Sequence, residues 1–178
     1  MEYRIYDIPY ILCAARRQQA TPMKILYICT HNRCRSILSE AITNHLAQGR
    51  IQARSAGSQP VGEVHPLSIQ YLQEADIPTE GLVSQSWDEL ETFSPDVVVT
   101  VCDSAAGESC PMWFGKSVKV HWGLADPSKV EGSDDEKAQA FRETIAEIQH
   151  RVTQLLTLET EHMTQNELHL AFNQLGAI

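Results

Sequence analysis

The chain has 178 residues, 43% apolar and 21% charged, with a formal net charge of -9. That length suits one well-buried domain rather than two, and no segment approaches the ~20 apolar residues that span a bilayer. The acidic balance excludes a general basic field for nucleic acid or an anionic membrane, so any anion site must be built locally.

Residues 1–22 carry Arg4, Asp7, Arg16 and Arg17 around a short apolar patch at 8–15, with no clear small-residue cleavage site, which makes a poor signal peptide. Because Met23-Lys24 directly precedes the first strand, Met23 is read as the start of the folded unit, and residues 1–22 as an extension or a misplaced start. The five cysteines, odd in number and unevenly spaced, do not suggest a secreted disulfide framework, so a reducing cytoplasm is expected. Cys13, in the extension, belongs to no motif.

Ile25-Leu26-Tyr27-Ile28 reads as a short buried strand, and Ile37, Leu38, Ala41, Ile42 and Leu46 recur at helical spacing. A second strand is expected at 51–55. Pro66 suits the first position of a helix with Leu67, Tyr71, Leu72 and Ala75 on one face. Trp87, Leu90 and Phe93 predict a short helix before the punctuation Ser94-Pro95-Asp96, and the run 97–101 predicts a strand buried on both faces. Val118, Val120 and Trp122 mark a fourth strand. Ser133 with Glu136, and Thr164 with Glu167, form capping boxes for a long helix and a short C-terminal one.

Strands alternating with helices predict a three-layer α/β/α sandwich around a four-stranded parallel sheet. Ligands of such sheets bind beyond the carboxyl ends of the strands, where Cys29, Cys102 and Asp126 each follow a proposed strand.

The segment Cys29-Thr30-His31-Asn32-Arg33-Cys34-Arg35-Ser36 is therefore a strand-to-helix turn. Backbone N–H groups of the loop and the first helical turn point into one concavity, where the helix dipole adds positive charge. That field, with nearby guanidinium groups, favours a thiolate at Cys29. Arg35 can grip two oxygens of a tetrahedral anion with its planar fork of donors. Alone, Cys29 would read as a small buried hydrophobe and Arg35 as a surface cation. Their coincidence with Ser36 in a strand-helix turn favours a nucleophile facing a bound oxyanion. Arg33 reads equally as an anion-steering group or a solvated cation, and Cys34 as a packed thiol before an oxidation partner. The histidines show no ligand spacing, so no metal site is assigned.

Cys29-x5-Arg35-Ser36 after a first strand, with a late Asp126-Pro127, resembles the low-molecular-weight protein tyrosine phosphatase fold. Cys102 and Cys110, with His121-Trp122-Gly123, resemble the arsenate reductases built on that fold. The resemblance spans roughly residues 24–152. It implies a phosphatase-like arsenate reductase domain over 23–158, a C-terminal helical extension over 159–178, and detoxification of arsenic.

It further implies that Cys29 attacks arsenate, that the loop 30–36 and Arg35 bind and stabilise the oxyanion, and that Asp126 protonates the departing oxygen. Cys102 then attacks Cys29, and Cys110 attacks Cys102. Ser36 is expected to donate to the Cys29 thiolate, a role compatible with helix capping, and Asn32 to hold a left-handed backbone. His121 and Trp122 are read as packing and supporting residues.

The sequence departs from the pattern at His31, where the family usually has Gly, so a bulkier mouth is expected. The Cys102 to Cys110 spacing looks one residue longer than in thioredoxin-coupled members, which leaves thioredoxin and glutathione/glutaredoxin both open as the external reductant. Some relatives bind potassium; Asn32, Glu40 and Ser55 match that site, but Gln85 stands where its carboxylate belongs, and no cation is assigned. No tightly bound cofactor is expected, the chain is read as a monomer, and nucleic acid and membrane are not expected partners. The competing readings are a phosphatase acting on phosphotyrosine or small phosphate esters, and a redox-sensing module that binds without turnover.

Overall fold

A computed structural model describes residues 21–107 and 111–178, so Cys13 and Cys110 lie outside the described residues. Strands β1 (Met23–Ile28), β2 (Ile51–Ala56), β3 (Val97–Thr100) and β4 (Val118–His121) form one sheet of order β2-β1-β3-β4, parallel throughout. Parallel neighbours need crossovers, and helices supply them. These are α1 (Arg35–Ala47), α2 (Pro66–Glu74), the single turn α3 (Asp103–Ala106), α4 (Asp134–Leu155) and α5 (Gln165–Gly176).

The periodicity of β1 explains the layers. Residues 25–28 are all buried, yet alternate side chains point to opposite faces, so each face needs a cover. On one face the Tyr27 ring packs 6.1 Å from Trp122 and its hydroxyl sits 2.9 Å from Thr43 of α1. Trp122 stacks on Phe172 of α5, with centroids 5.8 Å apart, and donates its indole N–H to the Phe172 carbonyl at 2.8 Å. The Arg151 guanidinium of α4 lies over the same indole. Helices α1, α4 and α5 thus share this face, and α2 packs beside them through the Tyr71–Phe141 stack at 5.2 Å. The 3-10 segments Trp87–Phe93 and Met112–Phe114, with α3, close the other side, where Trp87 meets Phe114 edge to face.

Both predicted capping boxes are present, at Ser133/Glu136 and Thr164/Glu167, and Pro66 occupies the first turn of α2. Strands three and four each stop one residue short of expectation. Val101 and Trp122 still donate to Ile28 O at 2.9 Å and Thr100 O at 2.8 Å, but they already belong to the loops. The helix predicted at Trp87 is a 3-10 segment, because the chain kinks at Leu90 (φ -109°).

Candidate active site

Parallel register carries the site. Ile28 pairs with both Ala56 and Thr100, so the chains leaving β1 and β3 run on side by side. Thr30 Oγ1 consequently lies 3.7 Å from Cys102 Sγ. Cys29 and Cys102 are 4% and 3% exposed, both as free thiols at the carboxyl end of the two central strands. Gly57, just past β2, holds the loop from behind: a Cβ there would stand 2.5 Å from Thr30 O and 2.9 Å from Cys29 O, so the close approach requires glycine.

A buried hydrogen-bond chain orients the nucleophile. Asn32 Nδ2 donates to Ser36 Oγ at 2.9 Å and Ser55 Oγ at 3.0 Å, and Ser55 Oγ donates to Glu40 Oε2 at 2.6 Å. Ser36 Oγ, already accepting from Asn32, lies 2.9 Å from Cys29 Sγ, which leaves its proton for the sulfur. Asn32 sits at φ 44°, the left-handed conformation expected of it, with Oδ1 accepting from Gln85 N at 2.8 Å. Helix capping, however, is not what the Ser36 hydroxyl does: the N-cap of α1 is Cys34, with no side-chain cap.

Gln85 Nε2 donates to Ser55 O at 3.0 Å. Asn32, Ser55 and Glu40, matched above to a potassium site only by resemblance, converge here through hydrogen bonds, and the fourth position offers a neutral amide that spends its N–H on the backbone. These residues fit a hydrogen-bonded closure and not a cation, and no step is routed through one.

Burial pushes the Glu40 carboxyl up to about 7, against the pull of Ser55 and of Arg54 at 3.9 Å. A carboxyl that titrates near 4.5 in the unfolded chain and near 7 in the fold binds its proton more tightly when folded, so stability falls as pH rises through that window. Glu40→Gln keeps an acceptor for Ser55 and removes the titration. Chemical denaturation at pH 5 and pH 8 should then show a difference in stability about 2 kcal/mol smaller than in the wild type. An unchanged difference would mean that Glu40 does not titrate there.

Arg35 opens α1 and reaches across the mouth. Its Nη2 lies 2.9 Å from Asp126 Oδ2 and its Nη1 donates to Leu124 O at 3.2 Å, with both side chains of the ion pair largely shielded from solvent. Asp126 Oδ1 in turn accepts from Ser128 N at 3.1 Å and Ser128 Oγ at 2.6 Å. Arg33 Nε is buried without a hydrogen-bond partner among the described residues, a donor that an anion would satisfy. The His65 imidazole is held below its usual value, first by burial and then by Arg33, with Asp126 acting in the opposite sense. Arg33, His65 and Asp126 thus lie within electrostatic reach of one another.

His31 is exposed, and its carbonyl accepts from Val61 N and Ser84 Oγ, both at 3.3 Å. Cys34 is packed inside, 3% exposed, and burial drives its thiol up to about 12. A protonated, enclosed thiol is a poor oxidation partner.

Cys102 caps α3, its Sγ accepting from Ala105 N at 3.4 Å. Behind it, His121 Nε2 stands 3.1 Å from Asp103 Oδ1 and His121 Nδ1 stands 2.9 Å from Thr100 Oγ1. Sequence reasoning missed Thr100 and Asp103. The pairing of Thr100 with His121 follows from the β3–β4 register, which a sequence alone does not print.

The low molecular weight phosphotyrosine protein phosphatase family matches residues 24–168, and the chain belongs to that family. Within it, an arsenate reductase of Halalkalibacterium halodurans is 34% identical over 72% of this chain and 91% of its own. A glutaredoxin arsenate reductase of Synechocystis is 27% identical over 75% of this chain and 95% of its own. The solved thioredoxin-dependent arsenate reductase of Corynebacterium glutamicum superposes with a TM-score of 0.59 at 29% identity, covering 78% of this chain and 62% of that one.

Proposed function

We propose that this protein reduces arsenate to arsenite through three of its own thiols. The observation that carries the reading is the second buried cysteine: Cys102 stands beside Thr30, next to the nucleophile, where hydrolysis of an ester needs only water. Relatives named arsenate reductase support the same substrate.

Arsenate is a tetrahedral oxyanion. It would enter the cradle of residues 29–36, drawing Arg35 from Asp126 because a bound oxyanion offers the guanidinium the same pair of acceptors. Asp126, released from its cation, is then free to serve as the general acid. The Cys29 sulfur attacks arsenic, an As–O bond breaks, and Asp126 protonates the departing oxygen as water.

Cys102 then attacks the Cys29 sulfur. The S–S bond forms, the S–As bond breaks with its electron pair left on arsenic, and arsenite departs: arsenic gains the two electrons that the two thiols lose. Cys110 attacks Cys102 in turn, returning Cys29 as thiolate, and an external thiol reductant supplies the two electrons that reopen the Cys102–Cys110 disulfide. That reductant is of the thioredoxin or the glutathione/glutaredoxin class.

The test supplies the reduced protein with arsenate, first without reductant and then with each regenerating system. The reading expects two thiols lost per arsenite formed in the first case, and multiple turnover with one of the two systems in the second. An unchanged thiol count with steady hydrolysis of an aryl phosphate would establish a phosphatase instead, and an unchanged count with neither product would establish a binding module.

A further inference from the structure

The relay asks something unusual of the segment that bears Cys102. It must present the sulfur to Cys29 and then give it up to Cys110, so it has to be held, though weakly. Helix α3 is too short to hold itself: four residues do not repay the cost of nucleating a helix. Its amides are satisfied locally, by Ala106 N on Cys102 O at 3.1 Å and Gly107 N on Asp103 O at 3.2 Å.

Among the described residues, one polar side chain ties this turn to the sheet. Asp103, 97% exposed, places Oδ1 3.1 Å from His121 Nε2. A carboxylate oxygen only accepts, so this imidazole nitrogen carries the proton and donates. The other nitrogen lies 2.9 Å from the Thr100 hydroxyl, whose oxygen also stands 3.3 Å from Val120 O, so that its single proton has two acceptors in reach. Both anchoring residues belong to strands, Thr100 to β3 and His121 to β4, and they are register partners. Gly123 passes over the pair: a Cβ there would lie 3.1 Å from His121 Nε2 and 3.7 Å from Asp103 Oδ1. The contact is therefore rigid on the sheet side and exposed on the Asp103 side, as a tether that must open requires.

We propose that the Asp103–His121 contact is a latch that docks the Cys102 turn against the Cys29 loop, making the two residues positioning residues for the first disulfide. The role rests on the reductase reading above. A solvent-exposed side-chain contact stabilises weakly, so the latch can release when the relay moves on.

The experiment is a double-mutant cycle with Asp103→Ala, His121→Ala and the double variant, since a cycle isolates the pairwise contribution from the loss of an acidic residue at the start of a helix. The rate of thiol loss after mixing reduced protein with arsenate should fall about twofold to fivefold in each single variant, and no further in the double. Aryl phosphate hydrolysis, which uses the loop without Cys102, should stay at the wild-type rate, and His121→Gln, which retains an N–H donor, should restore the thiol-loss rate. Amide exchange at Ala106 and Gly107 should accelerate in the same non-additive pattern. This second readout needs no arsenate chemistry, so it tests the latch even if the reductase reading fails. Additive effects, an unaltered exchange rate, or hydrolysis falling in step with thiol loss would each overturn the latch.

Discussion

Replacing Cys102 by Ser should abolish multiple-turnover arsenate reduction while aryl phosphate hydrolysis persists within a few-fold of wild type. A hydroxyl can take the place of the thiol at the end of β3, accepting from Ala105 N and facing Thr30 as Sγ does now. What it cannot do is attack sulfur and carry electrons. The Cys29–arsenate adduct then has no intramolecular partner, and arsenic keeps its oxidation state. Hydrolysis draws on the Cys29 loop, the Asn32–Ser36–Ser55 support and Asp126; of these Thr30 contacts Cys102, a contact that a serine hydroxyl can keep. The measurement is arsenite formed per enzyme with the regenerating system that serves the wild type, set beside p-nitrophenyl phosphate turnover. Sustained arsenite production by Cys102→Ser would remove this cysteine from the relay. Equal loss of both activities would show that the substitution had collapsed the loop, which unfolding curves and the Cys29 alkylation rate would reveal.

How much of this was readable in advance follows the distance over which each contact acts. The Cys29 to Ser36 loop was legible because strand, turn and helix are contiguous, and the left-handed Asn32 is a local property of its own backbone. Cys102 and Asp126 were legible at one remove, through the rule that parallel sheets deliver groups at the carboxyl ends of their strands.

The supporting contacts were less so. The resemblance alone grouped Gln85 with Asn32, Glu40 and Ser55, and Trp122 was read as a packing residue without its partner: Gln85 reaches Asn32 across 53 positions and Trp122 reaches Phe172 across 50, contacts fixed by how segments cross in space and not by any period in the chain. Asp103 looks like an ordinary polar residue until β3 is seen to end at Thr100 and β4 to bring His121 alongside. The one-residue overshoot of strands three and four has a similar origin: Val101 and Trp122 are apolar because they are buried in the loops beyond the ladder. Hydrophobicity reports burial, and burial outlasts the strand.

Arg35→Lys should lower kcat for arsenate reduction and for aryl phosphate hydrolysis alike, by about 10²–10³. Arg35 makes two contacts at once, Nη2 to Asp126 Oδ2 at 2.9 Å and Nη1 to Leu124 O at 3.2 Å, a geometry that only a planar fork serves. Lysine keeps the charge but presents a point cation on a flexible stem, so it cannot hold the Leu124 carbonyl and two anion oxygens in one plane. Ground-state attraction for a dianion then survives, and what is lost is the donor aligned with charge that develops as the bond to Cys29 forms. KM should therefore move much less than kcat, a split that separates lost transition-state stabilisation from lost binding. A rise in KM with kcat unaltered would mean that Arg35 attracts the anion without taking part in the chemistry.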